Sequence, residues 1–455
     1  MINTTISERL AAIVLHPALR GAASVRAPEA RLVEAVGLAA AIDLEIVSSM
    51  VIPLSKPSSA TLLGSGKVEE IGALLDSFET RPGLVIIDSA LTPVQHRNLE
   101  KEWNAKVLDR TALILEIFGA RAQTAEGRLQ VELAHLDYQR SRLVRSWTHL
   151  ERQRGGAGFL GGPGERQIES DRRALDEKII RLKRKLEDVR RTRTLQRAKR
   201  KRAPHPVVAL VGYTNAGKST LFNRLTKSSV IAEDQLFATL DPTMRAIDLP
   251  SGVRAILSDT VGFISDLPTQ LVAAFRATLE EVLEADIIVH VRDIAHADSD
   301  AQRADVIKVL GELGLKGDDE RPVIEALNKI DLLPSDDRLD VEAMSRLSQV
   351  NALGVLSEPI RVAISAHAGS GAPELLNLIE TLLTAAHETL TIHLPAPFGA
   401  ARAWLHGRAE IVEEVARDND LIVVARVSKK IEGQFFKLFA EARVASAEEL
   451  SFKSA

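Results

Sequence analysis

An apolar run followed by a glycine-rich loop is the part of this sequence best suited to chemistry. VVALVGYTNAGKSTLFNRL contains the pattern G-x-x-x-x-G-K-S between residues typical of a strand and residues that favour a helix. In that setting the loop N–H groups surround α- and β-phosphates, Lys218 neutralises the β and γ oxygens, and the hydroxyl of Ser219 binds Mg²⁺. The residues assigned to this nucleotide site are Gly212, Tyr213, Thr214, Asn215, Ala216, Gly217, Lys218, Ser219 and Thr220.

A second stretch, Asp259-Thr260-Val261-Gly262, follows the apolar RAILS and adds metal and γ-phosphate chemistry. Asp259 is placed to hold Mg²⁺ through water, and the N–H of Gly262 is placed near the γ-phosphate. We therefore assign Asp259, Thr260, Val261 and Gly262 to the same site.

A third stretch selects the base. Asn328-Lys329-Ile330-Asp331 follows the apolar VIEAL, and a carboxylate there accepts from both N1–H and N2–H of guanine, which adenine cannot offer. A buried carboxylate left unpaired would reject ATP by several kcal/mol, so the pattern predicts GTP. Ser365-Ala366 follows RVAI, and the Ala366 N–H is expected to contact the base O6. Each motif is weak alone, but their order and spacing after the loop are specific.

The segment FATLDPT is expected to close over the nucleotide. We assign Thr239 as the threonine that binds Mg²⁺ and the γ-phosphate, with Thr243 as the alternative. The expected metal ligands are thus Ser219, Thr239 and Asp259. The neighbouring residues assigned to the nucleotide are Phe237, Ala238, Leu240 and Asp241.

Phe263 stands where many small GTPases carry a glutamine that orients the attacking water. Phenylalanine cannot hydrogen-bond to water. Two interpretations stay open: hydrolysis by the isolated chain is slow and needs a partner or an ion, or Phe263 is a packing residue, and the two are compatible.

The elements around these motifs predict an α/β fold in four parts. Alternating apolar runs and helix-like stretches over 1–125 predict a small α/β domain with a largely parallel sheet. Leucines at a/d spacing on both sides of GGAGFLGGPG predict an antiparallel helical hairpin over 126–203, with arms of about 25 residues and about 40 Å and a glycine-rich tip. A P-loop domain is expected over 204–387 and a small α+β domain over 388–455, and RTRTLQRAKRKRAP is expected to be a linker.

Composition sets the limits of the chemistry. At roughly 150 residues per domain, 455 residues predict about three domains. The absence of cysteine excludes disulfides, thiolate metal sites and a cysteine nucleophile. Neither a signal peptide nor an apolar run long enough to cross a bilayer is evident, so we expect a cytoplasmic protein without membrane insertion.

The net charge of −4 conceals a basic block. Residues 140–202 hold 21 Lys and Arg against 8 Asp and Glu. A charge run is usually a solvated helix surface, but this excess, with Arg152, Arg154 and Arg166 beside the tip, favours contact with an RNA backbone.

Three further features of the sequence could be mistaken for functional sites. Gly64-Ser65-Gly66-Lys67 resembles the end of a P-loop, but Val68 replaces the Ser/Thr and the first glycine is missing, which argues against a second nucleotide site. The 11 histidines show no metal-ligand spacing, and His290 in IIVHV is interpreted as a strand residue. Trp404 is interpreted as a core residue.

Taken together, these stretches resemble the HflX GTPases of bacteria, within the translation-factor-related GTPases. The likeness extends to about residue 390 and includes GSGKVEEI, LTPVQHRNLE, DRTALILEIFGARAQTAEGRLQVELAHLDY, GGAGFLGGPGE, FATLDPT and DTVGFISDLP. Arg166, Ser170 and Arg292 depart from the expected pattern.

The resemblance implies binding to the large ribosomal subunit through ribosomal RNA, and a role in ribosome rescue, subunit separation or assembly. From the motifs we expect Mg²⁺ as cofactor, and we expect the free protein to be monomeric. The resemblance also implies that Asn215 occupies the position where cation-dependent GTPases ligate K⁺ beside the β- and γ-phosphates. The residues expected to act in hydrolysis are Asn215, Lys218, Thr239 and Gly262.

Two alternatives remain. In the first, the chain is an RNA-binding or scaffolding protein in which nucleotide sets a conformation and turnover is incidental. In the second, residues 1–125 drive ATP-dependent RNA remodelling, which Val68 argues against.

Overall fold

The computed structural model of the chain describes most of its length. The described residues are 10–21, 26–153, 163–200, 205–227, 237, 243–265, 281–315, 321–352, 359–385, 387–395, 397–417 and 420–444. They form an α/β structure with a helical hairpin and a C-terminal sheet unit.

The N-terminal unit is a four-stranded sheet in the order β2-β1-β3-β4, in which every neighbouring pair is parallel. Its strands are β1 (Ala11–Leu19), β2 (Glu45–Leu54), β3 (Leu84–Ile87) and β4 (Lys106–Asp109). Its helices are α1 (Pro28–Ala40), α2 (Ser65–Ser77), α3 (Pro93–Trp103) and α4 (Arg110–Arg121). Both faces of the sheet are covered, which explains why the strands are almost continuously apolar.

The hairpin consists of α5 (Ala125–Gln153) and α6 (Pro163–Arg200). Leu136, Ile179 and Leu182 are buried between the two helices, as a/d spacing requires. The second arm has 38 residues, or about 57 Å, so the expectation of two arms of about 40 Å was wrong for α6. RTRTLQRAKR is helical rather than a linker, because its Arg, Lys, Gln, Leu and Ala favour helix and no proline occurs before Pro204.

The third unit is a six-stranded sheet in the order β10-β9-β8-β5-β7-β6, parallel except for the β6–β7 pair. Its strands are β5 (Val207–Gly212), β6 (Thr243–Asp248), β7 (Arg254–Asp259), β8 (Ile287–Asp293), β9 (Val323–Asn328) and β10 (Ile360–Ala363). Its helices are α7 (Lys218–Thr226), α8 (Ser299–Glu312), α9 (Ser335–Ala352) and α10 (Ala372–Ala385). The loops that follow β5, β7, β9 and β10 all leave the same edge of the sheet, where ligands of such folds bind.

The C-terminal unit is an antiparallel sheet in the order β12-β13-β11-β14 with two helices. Its elements are β11 (His387–Leu394), α11 (Gly399–His406), β12 (Glu410–Arg417), β13 (Asp420–Ser428), α12 (Lys429–Leu438) and β14 (Arg443–Val444). Trp404 of α11 packs against Phe435 of α12 and against Phe439, which directly follows that helix, with ring centroids 5.6 and 6.2 Å apart. In the described part of the chain no helix combines the length and the hydropathy needed to cross a bilayer.

Candidate functional site

The glycine-rich loop joins β5 to α7, and two of its glycines are required by close backbone contact. Gly212 has φ +153°, and a Cβ there would lie 2.2 Å from the carbonyl oxygen of Val291. Gly217 has φ +93°, and a Cβ there would lie 2.2 Å from Nδ2 of Asn328. A side chain at either position would therefore displace the loop from the strands around it.

Lys218 begins α7 and is almost completely buried. Its Nζ donates to the backbone oxygen of Tyr213 at 2.8 Å, so the side chain curls back across the loop. Burial lowers the pKa of Lys218 to about 8, against the opposing charge of Asp259. The lysine is thus a desolvated cation at a helix N-terminus, an arrangement that favours phosphate.

The donors assigned to a metal meet beside this lysine. Ser219 Oγ donates to Asp259 Oδ2 at 2.7 Å, which joins the start of α7 to the end of β7. A hydroxyl and a carboxylate oxygen are the donors that Mg²⁺ prefers. Among the described residues no group of three His, Asp or Glu forms a metal cluster, so a cation here would take its remaining ligands from phosphate and water.

The alternative threonine, Thr243, is the first residue of β6, opposite Asp259 in the register. Phe237 is buried and its ring packs edge-on against Phe118 of α4, with centroids 4.7 Å apart. The other assigned residues of this segment lie outside the described residues: Ala238, Thr239, Leu240 and Asp241.

The segment Asp259–Gly262 leaves β7 and returns along the loop. Phe263 N donates to Gly212 O at 3.1 Å, and Thr214 N donates to Phe263 O at 2.8 Å. A Cβ on Gly262 would lie 2.8 Å from Cγ2 of Thr214 and 3.0 Å from Nζ of Lys218. Gly262 is therefore packed beside the lysine, and the ring of Phe263 is buried in the apolar cluster below.

Hydrogen bonds also bring together the residues assigned to base recognition. Asn328 Nδ2 donates to Ala216 O at 2.7 Å, and its Oδ1 accepts from Ala366 N at 2.9 Å. One side chain therefore ties the phosphate loop to the loop after β10. Ser365 Oγ accepts from Ala368 N at 2.9 Å, which tightens that second loop.

The remaining residues of the third motif project at the same edge. Lys329 adopts φ +69° and its Nζ lies 2.8 Å from Oδ2 of Asp293. Ile330 is buried, and Asp331 is exposed in the short 3₁₀ turn Ile330–Leu332, with its carboxylate accessible to a ligand. Asn215, φ +59°, is exposed at the crest of the phosphate loop.

Sequence reasoning missed two sets of contacts around this site. Arg224 of α7 donates to Ala366 O at 2.6 Å and also to His367 O, and thereby braces the loop after β10. Tyr213 hydrogen-bonds to residues of the N-terminal unit. No local pattern marks these contacts, because their partners lie 142 to 187 positions away.

The hairpin residues assigned to RNA contact lie outside the described part of the structure. They are Arg154 and the side chains of Arg152 and Arg166. Among the described residues of α6, Arg173 pairs with Glu169 at 2.7 Å and Arg181 with Glu177 at 3.3 Å, all four side chains exposed. Such i,i+4 pairs are typical of a solvated helix surface.

Comparisons with known proteins agree with this layout. Residues 29–119 match the family model "GTP-binding GTPase N-terminal", 121–200 match "GTP-binding GTPase Middle Region", and 207–329 match "50S ribosome-binding GTPase". The chain is 48% identical over 384 residues to GTPase HflX of Magnetococcus marinus, covering 84% of each chain. It is 42% identical over 358 residues to GTPase HflX of Escherichia coli, covering 79% of this chain and 80% of that one.

Among solved structures, a GTP-binding protein of Sulfolobus solfataricus in complex with GDP is similar at 25% identity and a TM-score of 0.44. The match covers 82% of this chain and 99% of that one.

Proposed function

The chain belongs to the GTPase HflX family, and from that premise we propose that it hydrolyses GTP to GDP and phosphate while associated with the large ribosomal subunit. The observation that carries the nucleotide part is the junction at Asn328, which holds the phosphate loop through Ala216 and the base loop through Ala366. Because that junction fixes the distance between the two loops, the site suits one guanine nucleotide lying across both.

In this proposal each loop acts on a different part of the nucleotide. Lys218 and the N–H groups at the start of α7 neutralise the phosphates, and the Gly262 N–H binds the γ-phosphate as charge develops. Asp331 selects guanine by accepting two N–H groups. Ser219, Asp259 and Thr239 would hold Mg²⁺, which would offset the negative charge of the phosphates.

Phe263 cannot orient the attacking water as a glutamine would, so another group must accelerate hydrolysis. We propose that the ribosome and K⁺ provide this acceleration, and that K⁺ binds at the exposed Asn215. Hydrolysis in KCl is expected to exceed hydrolysis in NaCl about tenfold or more, and Asn215→Ala should remove the difference. Equal rates in both salts, with and without ribosomal subunits, would contradict the potassium site.

Ribosome association is assigned to the basic hairpin. Phosphate contacts release counterions, so binding should weaken as salt rises. We expect the triple variant R152E/R154E/R166E to bind large subunits about tenfold or more weakly at 0.15 M salt and with a shallower salt dependence. Its GDP affinity should not change, because a helical arm of 29 residues, about 43 Å long, is several times the Debye length of about 8 Å at this salt concentration.

A charge-matched control is available on the N-terminal unit, where Lys56, Lys101 and Lys106 are exposed. The triple variant K56E/K101E/K106E makes the same change in net charge at residues outside the hairpin. Equal losses of binding in the two triple variants would show that overall charge determines binding. Unchanged binding of the hairpin variant would show that α5 and α6 present only a solvated surface.

Co-sedimentation with large subunits tests the whole proposal, with GDP or a non-hydrolysable GTP analogue, together with hydrolysis measured with and without subunits. We expect binding that depends on the nucleotide and faster hydrolysis on the subunit. Binding that is the same with either nucleotide, with no stimulation of hydrolysis, would favour the scaffolding alternative.

A further inference from the structure

The hydroxyl of Tyr213 lies where the N-terminal unit meets the nucleotide site. It accepts from Arg26 Nη1 at 2.8 Å and from the backbone N–H of Ser265 at 2.7 Å, and it donates to Glu34 Oε2 at 2.5 Å. Glu34 belongs to α1 and Arg26 precedes it, whereas Ser265 follows Gly262 by three residues. A phosphate-loop side chain therefore connects the N-terminal unit to the segment that approaches the γ-phosphate.

Arg110, the first residue of α4, holds the same serine from the other side. Its Nη2 donates to Ser265 O at 2.9 Å and to Ser265 Oγ at 3.0 Å. Ser265 Oγ in turn donates to Glu34 Oε1 at 2.9 Å. The N–H, the carbonyl and the hydroxyl of Ser265 are thus all bonded to groups outside its own segment.

The network has a buried centre with half-buried carboxylates around it, and its charges alternate. Arg110 contacts both Asp88 and Glu34, and Arg26 contacts Glu34 at 3.0 Å and Asp305 of α8 at 2.7 Å. Arg110, Tyr213 and Ser265 are each 4% exposed. Burial and the charge of Glu34 raise the pKa of Tyr213, so its hydroxyl stays protonated and keeps donating to that carboxylate.

Two separate anchors consequently restrain the segment 262–265. Phe263 is bonded to the phosphate-loop backbone at Gly212 and Thr214, and Ser265 is bonded to the network. Gly262 lies between Asp259 and these anchors, against Thr214 and Lys218. The N–H of Gly262 must meet the γ-phosphate to stabilise the transition state. If Ser265 were free to move, Gly262 and its N–H would move with it.

We infer that Glu34, Arg110 and Tyr213 are positioning residues for GTP hydrolysis, which hold Ser265 so that Gly262 stays beside Lys218. The inference rests on the hydrolysis proposed above and adds that the N-terminal unit completes the site of the same chain. Two of the three residues come from a part of the chain that carries no nucleotide motif of its own at this site.

The test is Tyr213→Phe in the full chain, which removes one hydroxyl and keeps the ring that faces Arg26 at 5.0 Å. We expect the single-turnover rate of GTP hydrolysis to fall about tenfold while the Kd for GDP changes less than about twofold. Amide hydrogen exchange of residues 262–265 with a bound GTP analogue should become faster, a readout that loss of general stability would not confine to this segment.

The chain offers a matched control, because its only other tyrosine is half-buried and its hydroxyl is also bonded to a carboxylate. Tyr138 donates to Asp109 at 2.8 Å, inside the N-terminal unit and hairpin. Tyr138→Phe should leave hydrolysis by the free protein unchanged. Similar rates in the two variants would show that the network has only a structural role.

A double-mutant cycle gives the second measurement. Glu34→Gln should also slow hydrolysis, and the double variant with Tyr213→Phe should be no slower than the worse single variant, because both act through Ser265. Additive losses, a wild-type rate for Tyr213→Phe, or a faster rate would each overturn the inference. A wild-type chain without turnover would instead contradict the proposed function, and this inference with it.

Discussion

Two glycine–lysine loops precede helices in the two α/β units, and they differ in what surrounds them. In the N-terminal unit Gly64-Ser65-Gly66-Lys67 opens α2, and the Lys67 side chain is 41% exposed and pairs with Glu70 of its own helix at 2.5 Å. Around the nucleotide site Lys218 opens α7, is 6% exposed and turns back to the loop carbonyl of Tyr213. Lys67 is therefore hydrated on a helix surface, whereas Lys218 is buried away from water.

The glycines differ in the same way. A Cβ on Gly64 or Gly66 would meet nothing within 4 Å, whereas a Cβ on Gly212 or Gly217 would collide with groups of β8 and β9. A glycine–lysine sequence can therefore be a helix start with ordinary backbone. It becomes a phosphate loop only when neighbouring strands press against its backbone and bury its lysine.

Replacing each lysine by alanine should give the largest difference in GTP hydrolysis between the two loops. Lys218→Ala should lower GTP hydrolysis by about 100-fold or more, because a desolvated cation facing developing charge is lost. Lys67→Ala should leave hydrolysis unchanged. Single-turnover assays at saturating GTP make the comparison, and a comparable loss in Lys67→Ala would show a second phosphate site in the N-terminal unit.

Adding one methyl group to each loop should change the free energy of unfolding of the protein by different amounts. Gly217→Ala forces a left-handed backbone on alanine and a contact with Asn328, so we expect a loss of about 2–4 kcal/mol in the free energy of unfolding. Gly64→Ala should stay within about 0.5 kcal/mol of the original chain. Urea titrations measure both, and equal midpoints would contradict the crowding described for Gly217.

We assign a base-recognition residue, Asp331, to the nucleotide loop and none to the N-terminal loop. Asp331→Asn replaces an acceptor pair with an amide, so affinity for GTP should fall about 10- to 100-fold and preference should move towards xanthosine triphosphate. Asp336→Asn, an exposed change in the first turn of α9, is the matched control. Full GTP affinity in Asp331→Asn would contradict the assignment of the base site.

The smallest expected difference concerns the buried histidines of the two sheets. His16 of β1 shares a hydrogen bond of 2.8 Å with Asp88. In β8, burial lowers the pKa of His290 to about 3, helped by Arg292 and Arg303 against Glu325. Because the unfolded chain binds this proton near pH 6.5, stability from His290 is present above that pH and is lost as pH falls towards 3.

The measurement is the free energy of unfolding at pH 7.5 and pH 5. His290→Leu should reduce the difference between the two by about 2 kcal/mol, whereas His367→Leu, a change at an exposed histidine, should not. An unchanged difference in His290→Leu would show that the imidazole titrates normally in the folded protein.

Much of the fold could be predicted because the evidence for it is local. The phosphate loop spans eight residues between one strand and one helix, and hydrophobic periodicity marks the strands and the a/d seam of the hairpin. The end of the hairpin was predicted less well. A charge run looks like a linker, yet its residues are good helix formers and extend α6 to Arg200.

Arg292 shows the limit of local evidence in another way. In the sequence it is an unusual basic residue at the end of an apolar strand. In the structure it lies 3.2 Å from Glu325, a carboxylate in the middle of β9 that also pairs with Arg303 of α8 and, at 3.4 Å, with Arg361 of β10. One carboxylate thus pairs with three arginines on three other elements, which no single stretch of sequence reveals.

The sequence by itself therefore determined the type of chemistry, because phosphate, metal and base recognition each depend on a few residues that are neighbours in the chain. The tertiary structure decided which of two glycine–lysine loops is buried and which residues support it. Ser265 is held by Arg110, 155 positions away, and Tyr213 by Glu34, 179 positions away. Such bonds form only when two units pack together and remove water from charges that periodicity cannot pair.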